Sequence, residues 1–380
     1  MSNRGTIGAI VYDLRASGVV RNLLRIARAA RGAGLDFELW PLRGQGEFLQ
    51  EAQDCAPLAP ILGEQTTAQR DWDSLRHQRA LADAIKVRAP ALLFSAGNQM
   101  HWHVAKALLS LPDDKRPRAL ARASNAVVSL GRSNWLIRKA LARQEAFQYR
   151  TMNHVVAVSG ELRDQIEKGL GIDPAKLSVI PNGIDAQRFI SPIRQAPSND
   201  RPIILGIGRL SKQKDFITLI DALALLNTQP KPVLRIFGRG SEAWMNRLRA
   251  RAHAKGVSDQ VELLGHVDTV ADHLQTADLF VSSSRWEGAS NVVLEALAGG
   301  TPIVATKAPT GIAEVLAPLG EENLVPVGDA PALAQAMERR LALPRGSEAL
   351  IQRARDFDLQ RTLDAYITLL EQQLSSTPSG

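Results

Sequence analysis

The chain has 380 residues, 45% of them apolar and 22% charged, which excludes general disorder and suits about two domains at roughly 150 residues each. The formal net charge is +7. It is unevenly placed: residues 1–190 carry 26 Lys and Arg against 18 Asp and Glu, and the rest 20 against 21. A single cysteine, Cys55, excludes disulfide frameworks and Cys-based zinc sites and fits a reducing compartment.

The first apolar run ends at Asp13, too short for a signal segment or a membrane span, and no stretch of about 18 apolar residues follows it. The chain is therefore expected to be soluble and cytoplasmic. Any membrane association would be peripheral, at the inner face of the cytoplasmic membrane.

Thr6 to Tyr12 reads as a buried strand, Val19 to Arg31 as a helix and Phe37 to Trp40 as the next strand. Ala91 to Ser95, Arg118 to Ala123 and His154 to Ser159 continue the strand series, with helical stretches between them. After a Pro-, Ser- and Asn-rich linker at Ser191 to Pro202, strands are expected at Ile203 to Ile207, Val233 to Phe237, Val261 to Leu263, Leu279 to Ser282, Ile303 to Ala305 and Leu324 to Val327. Helices fall at Asp215 to Leu226, Glu242 to Lys255, Val270 to Gln275, Asn291 to Ala298 and Pro331 to Leu341, and a last helical segment runs from Glu348 to Leu374. Strand, ten or more helical residues, then strand is the period of a parallel α/β sheet. Two doubly wound, Rossmann-like domains are the economical architecture. The expected divisions are residues 1–188, residues 189–355, and a final helix and tail at residues 356–380.

Two Asp-x-Asp pairs, at Asp71–Asp73 and Asp356–Asp358, match the metal-binding pattern of some sugar transferases, but both lie in helix-like surroundings instead of after a strand. Gly206-Ile207-Gly208 follows a strand yet breaks the dinucleotide pattern at its last position, and no phosphate-binding P-loop occurs. No metal site is expected.

The stronger signals lie further on. Gly206 to Asp215 reads GIGRLSKQKD, a strand ending in glycines with Arg209 and Lys214 on the turn into a helix. A guanidinium forks two phosphate oxygens and an ammonium adds a point charge, so this is either a metal-free pyrophosphate clamp or two solvated basic residues. Trp286 to Thr306 reads WEGASNVVLEALAGGTPIVAT. Glu287 falls on a loop, Glu295 lies one turn into a helix, and Gly288 to Asn291 form the helix start. Free N–H groups and the positive dipole end suit a phosphate there, and the two carboxylates can accept hydrogen bonds from hydroxyl pairs.

With IPNGID (Ile180 to Asp185), HVVAVSGELRDQI (His154 to Ile166), ELLGHV (Glu262 to Val267) and LVPVGD (Leu324 to Asp329), these blocks resemble the retaining glycosyltransferases of family 4. The likeness is good from about residue 150 onward and thin before it. It implies the GT-B fold, in which two Rossmann-like domains face a cleft and the C-terminal helix crosses back to the first domain.

The same resemblance implies that Arg209 and Lys214 hold the donor diphosphate, with Gly208 close by. Glu287 would meet hydroxyls of the transferred sugar and Glu295 the ribose. The backbone of Gly288, Ala289, Ser290 and Asn291 would face phosphate or sugar, while Gly238, Arg239, His266 and Val267 would line the nucleoside pocket. Ser17 and Gly18 match the loop that approaches the diphosphate, although Ala16-Ser17-Gly18 replaces the common Gly-Gly. The Asn182-Gly183 turn would sit at the hinge between the domains. Many relatives carry a histidine after the strand of the first domain nearest the sugar; here that segment, ALARASNAV (Ala119 to Val127), offers Arg122 and Asn125 and no histidine. Asn98 and His103, beside His101 in SAGNQMHWHVAK, are the other acceptor- or sugar-side candidates, with surface or capping roles as the alternative for the histidines.

The implied reaction moves a hexose-type sugar, from a UDP-sugar by preference, to a glycan or lipid-linked acceptor in polysaccharide or lipopolysaccharide synthesis. The configuration would be retained by front-face displacement, with no cofactor and no metal. Lys115 to Arg150 carries nine basic residues against Glu145, and Trp135, Leu136 and Ile137 stand beside Arg138 and Lys139. Either this is an ordinary amphipathic helix packed on its own domain, or it meets an anionic membrane and a lipid-linked anionic acceptor, each cation adding about 1 kcal/mol. A nucleotide-sugar 2-epimerase and a non-catalytic sugar-nucleotide-binding subunit are the rival readings. A nucleic-acid partner is not expected, since an aromatic content of 5% leaves few stacking platforms.

Overall fold

The computed structural model describes residues 5–63, 74–127, 135–189, 201–267, 269–343 and 348–376. The chain divides into two units, one running to Pro181 and taking in the chain from Arg361, the other spanning Asn182–Gln360. Most of the anticipated linker and the Asp71–Asp73 pair lie outside the described residues.

The first unit is built on β1 (Ile7–Val11), β2 (Phe37–Pro41), β3 (Leu92–Ser95), β4 (Arg118–Ala123), β5 (His154–Ala157) and β6 (Leu177–Val179). They form one sheet in the order β2-β1-β3-β4-β5-β6, with every pairing parallel. Continuous apolar runs are what a sheet covered by helices on both faces requires, and every residue of β1 is buried. Strand β6 escaped the sequence reading because it has three residues, sits at the sheet edge and leaves Val179 exposed.

The second unit holds β7 (Ile203–Ile207), β8 (Val233–Phe237), β9 (Val261–Gly265), β10 (Leu279–Ser282), β11 (Ile303–Thr306) and β12 (Leu324–Val325). Its sheet is also parallel, in the order β12-β11-β10-β7-β8-β9. The order reverses between β7 and β10. In open α/β sheets, ligands bind outside the carboxyl ends of the strands at that reversal. The corresponding point in the first unit lies between β1 and β3.

The expected last helical segment, Glu348 to Leu374, is corrected by the structure. It is two helices, Glu348–Arg355 and Leu359–Ser375. The break falls on the second Asp-x-Asp pair, where Ile184 N–H donates to Phe357 O at 2.8 Å and Leu359 N–H to Ile184 O at 3.1 Å. Arg353 holds Asp356 at 2.7 Å. Phe357 packs on the second unit's core, so this pair serves a chain break. Beyond it, Tyr366, Leu369 and Leu370 join Ile7, Leu120 and Val156 in the core of the first unit.

Candidate functional site

At the carboxyl end of the second sheet, the loop after β7 and the loop after β10 are tied together. Arg285 N–H donates to Gln213 O at 2.7 Å, Gln213 Nε2 to Trp286 O at 3.0 Å and Ser283 Oγ to Lys214 O at 2.8 Å. The Lys214 ammonium meets the Glu287 carboxylate, and Ser284 Oγ donates to the same Glu287 oxygen at 2.6 Å. One residue on, Asp215 receives Arg285 Nε at 2.8 Å and Thr218 Oγ1 at 2.8 Å.

Asp215 has φ +46°, an uncommon conformation for a residue other than glycine, and it starts the helix Phe216–Ala224. The ion pair and hydrogen bond that its buried carboxylate makes fix that strained position, and with it the direction of Lys214. Sequence reasoning named Lys214 and Glu287 but missed Asp215, Arg285 and Ser284. The available signal was the Asp that ends GIGRLSKQKD, directly before a helix.

Glycines let the loops approach. Gly208 N–H donates to Phe237 O at 2.9 Å, Leu210 N–H to Arg239 O at 2.8 Å and Gly238 N–H to Gly265 O at 2.6 Å, which joins the ends of β7, β8 and β9. A Cβ on Gly238 would stand 1.8 Å from Gly208 O, and one on Gly208 2.6 Å from Lys214 Cε. Arg239 and His266 are exposed at these ends, and Val267 packs partly into the core that includes Phe237. Arg209 is exposed and makes no side-chain ion pair among the described residues.

The loop after β10 continues into the helix Asn291–Ala298. Glu287 N–H donates to Pro309 O at 2.7 Å, and Thr310 Oγ1 donates back to Glu287 O at 2.6 Å. Gly288 is buried, while Ala289, Ser290 and Asn291 are half-buried at the helix start. Asn182 secures this stretch, its Nδ2 donating to Ala289 O at 3.0 Å and Asn291 Oδ1 at 2.7 Å. Glu295, on the first turns of the helix, is only 4% exposed. The structure therefore brings Lys214, Glu287 and the Gly288–Asn291 backbone onto adjoining loops at one sheet edge.

In the first unit, Ser17 caps the helix Gly18–Gly32, accepting from Val20 N–H at 3.3 Å, and Ser17 and Gly18 are exposed at the helix start. Asn98 braces the loop after β4, its Oδ1 accepting from Ser124 N–H at 2.8 Å and Ser124 Oγ at 3.1 Å. Asn125 sits on that loop, with its Oδ1 accepting from Ala126 N–H at 3.0 Å.

Arg122 is corrected. It is 3% exposed, and its Nε donates to Tyr366 Oη at 3.0 Å, so it holds the C-terminal helix instead of facing a sugar. The surface reading of the histidines is corrected as well. His101 is buried against Ser95 Oγ at 2.7 Å, and burial brings its pKa down to about 3 against the opposing pull of a backbone hydrogen bond at Arg122. His103 stacks edge-on to His77 at 5.4 Å, and His77 to Tyr12 at 6.2 Å. Burial first, then the neighbouring His77, holds His103 below the usual histidine range. No sequence signal pointed to His77 or Tyr12.

Among the described residues, no three His, Cys, Asp or Glu side chains gather as a metal-binding group. Among them, too, no helix is long and apolar enough to cross a membrane.

Two Rossmann-like domains whose carboxyl-end loops carry these residues are those of the GT-B class. Residues 188–357 match the family Glycosyl transferases group 1, and residues 16–188 match Glycosyltransferase Family 4. The two matches adjoin, and the chain belongs to this glycosyltransferase family.

It is 35% identical over 180 residues to the lipopolysaccharide core biosynthesis glycosyltransferase LpsE of Rhizobium meliloti, a match covering 45% of this chain and 50% of LpsE. It is 26% identical over 352 residues to a D-inositol 3-phosphate glycosyltransferase of Geodermatophilus obscurus, covering 86% of this chain and 72% of that protein. The chain spans about half the length of curated relatives it matches, 50% of LpsE and 40% of a mannosylfructose-phosphate synthase of Agrobacterium fabrum. Among solved structures, HepE of Anabaena in complex with UDP and glucose superposes with a TM-score of 0.78 at 18% identity, covering 97% of this chain and all of HepE. At that identity the likeness shows the fold.

Proposed function

We propose that the protein transfers a hexose-type sugar, with retention, from a UDP-sugar to a glycan or lipid-linked acceptor in the synthesis of cell-envelope polysaccharide or lipopolysaccharide. The supporting observation is the tied pair of loops at the sheet reversal, which sets Lys214 against Glu287 beside the Gly288–Asn291 helix start. LpsE, a lipopolysaccharide core biosynthesis glycosyltransferase, supports the envelope setting, and HepE was captured with UDP and glucose.

In this reading Lys214 and Arg209 take the diphosphate, and the helix start adds N–H groups and a favourable dipole. Diphosphate draws Lys214 away from Glu287 and frees that carboxylate to accept from a sugar hydroxyl. Glu295 takes the ribose hydroxyls, while Gly238, Arg239, His266 and Val267 flank the base. During transfer the bond from C1 to the diphosphate oxygen breaks and the acceptor oxygen bonds C1 on the same face. The acceptor proton passes to the departing diphosphate. The chain's task is to stabilise negative charge, and no metal or cofactor is required of it.

In the first unit, Ser17 and Gly18 are assigned to the donor diphosphate, and Asn98, His103 and Asn125 to the acceptor or sugar side. The exposed Trp135, Leu136 and Ile137, beside Lys139, are assigned to peripheral contact with an anionic membrane at the inner face of the cytoplasmic membrane. The test is a thermal-shift panel of nucleotide sugars with and without EDTA, followed by NMR of the glycoside formed. Stabilisation by UDP-sugars in EDTA and a product of retained configuration are expected. Stabilisation only with a chelatable metal, or donor epimerisation without acceptor, overturns the reading.

A further inference from the structure

A pocket of about 960 Å³ opens on the first unit, away from every residue assigned above to donor or acceptor. It lies at the amino-terminal edge of the sheet: Arg118 opens β4, Asn153 immediately precedes β5, and Gly169 and Leu170 lead toward β6. Ser17, Asn98 and Asn125 stand at the opposite, carboxyl edge. Six strand residues in β4 separate the two edges by about 20 Å.

Five cations line the pocket, Arg116, Arg118, Lys139, Arg143 and Arg150, against one carboxylate, Asp113. Asp113 is already paired to Arg116 at 2.5 Å and points mostly to solvent. Arg143 is exposed and makes no ion pair among the described residues. Arg150 has only a long 3.4 Å hydrogen bond, to Leu170 O. Arg118 gives its Nη2 to Gln373 Oε1 at 2.8 Å, while its Nε is buried with no acceptor among the described residues. A buried donor without an acceptor is uncommon and costly. Here it accompanies a local excess of guanidinium groups, whose forked donors match phosphate oxygens. Phe147, Leu108 and Leu170 supply an apolar wall.

We infer that this pocket binds a phosphate group carried on a partly apolar molecule. Arg118, Arg143 and Arg150 would take the oxygens and the wall would receive the apolar part. The lipid arm of this inference rests on the membrane contact proposed above for Lys139 and its neighbours, whereas the soluble-phosphate arm does not, so the two can fail separately. The phosphate could come from a soluble ester or from a lipid headgroup, and the experiment separates the two.

The intact protein, saturated with UDP to occupy the donor loops, is titrated with inorganic tripolyphosphate by calorimetry. It is also sedimented with phosphatidylglycerol or phosphatidylcholine vesicles. Arg143→Glu and Lys139→Glu, singly and together, change exposed side chains and should fold. Lys214→Ala is the donor-loop control.

Tripolyphosphate binding weakened at least tenfold by the double change and untouched by Lys214→Ala supports a soluble phosphate ester. Sedimentation with phosphatidylglycerol alone, abolished by the same change, supports a lipid phosphate. The inference fails if neither probe binds the native protein, if the double variant binds both as well as the native protein does, or if only Lys214→Ala removes binding.

Discussion

The Arg285 guanidinium stands 2.8 Å from the Asp215 carboxylate, and the same two loops carry Lys214 and Glu287 at neighbouring positions. The outer pair is part of the scaffold for the inner one. Asp215 is buried and Arg285 is 40% exposed at its side chain, so removing Arg285 strands a buried carboxylate while replacing a partly hydrated cation. Arg285→Ala should destabilise the second unit by about 1–3 kcal/mol. Because Lys214 is held through Asp215, donor KM should also rise. Denaturant unfolding and steady-state kinetics would show both effects, and unchanged KM with reduced stability would limit Arg285 to a folding role.

Lys214→Ala and Glu287→Gln should behave differently. On the proposed reading, loss of the ammonium removes charge stabilisation of the leaving diphosphate and should lower kcat by about 100-fold or more. Glu287→Gln keeps the size and loses the ion pair, so a Lys214 released from it should bind UDP at least as well as before while sugar transfer falls. Titration of UDP and UDP-sugar into each variant checks this, and equal losses of both ligands would contradict the division of roles.

Gly238→Ala should be severe. The added Cβ would meet the Gly208 carbonyl oxygen at 1.8 Å, a backbone atom that cannot swing aside. A loss of about 3 kcal/mol is expected, with β7 and β8 forced apart at their carboxyl ends. Chemical unfolding of the variant measures it, and a near-native midpoint would show that the two turns separate freely.

Acid should weaken the first unit. His101 is held neutral by burial, with its pKa lowered from 6.5 to about 3. A histidine depressed in the fold contributes full stability above its unfolded pKa. It loses that contribution as pH falls from about 6.5 toward 3, because the unfolded chain binds the proton and the fold does not. Between pH 7 and pH 5 the loss from His101 alone is about 2 kcal/mol. His103 and His154 are shifted the same way by burial and add to the slope. Unfolding at the two pH values should show this dependence, and His101→Gln should flatten it.

Most strands were legible because a sheet covered on both faces needs unbroken apolar runs, and Ile7–Val11 and Ile203–Ile207 supply them. The loops bearing Lys214 and Glu287 were legible because glycines and a helix start follow strands in a fixed order. What stayed hidden depends on which strands become neighbours. The contact of Arg285 with Asp215 exists because β10 pairs with β7 and not with β9. Arg122 was misread because its partner, Tyr366, lies 244 residues away in sequence. The first-unit histidines were hard to assign because burial, not spacing, decides their state.

The C-terminal helix contributes Tyr366, Leu369 and Leu370 to a core otherwise made by residues before Pro181. During synthesis, the second unit is therefore the first continuous stretch that can close its core. The first unit emerges earlier from the ribosome but lacks part of its apolar wall until the helix Leu359–Ser375 has been made. Its birth order and its completion order are reversed. The nascent first unit should remain sensitive to protease and attractive to chaperones until translation has passed Leu370.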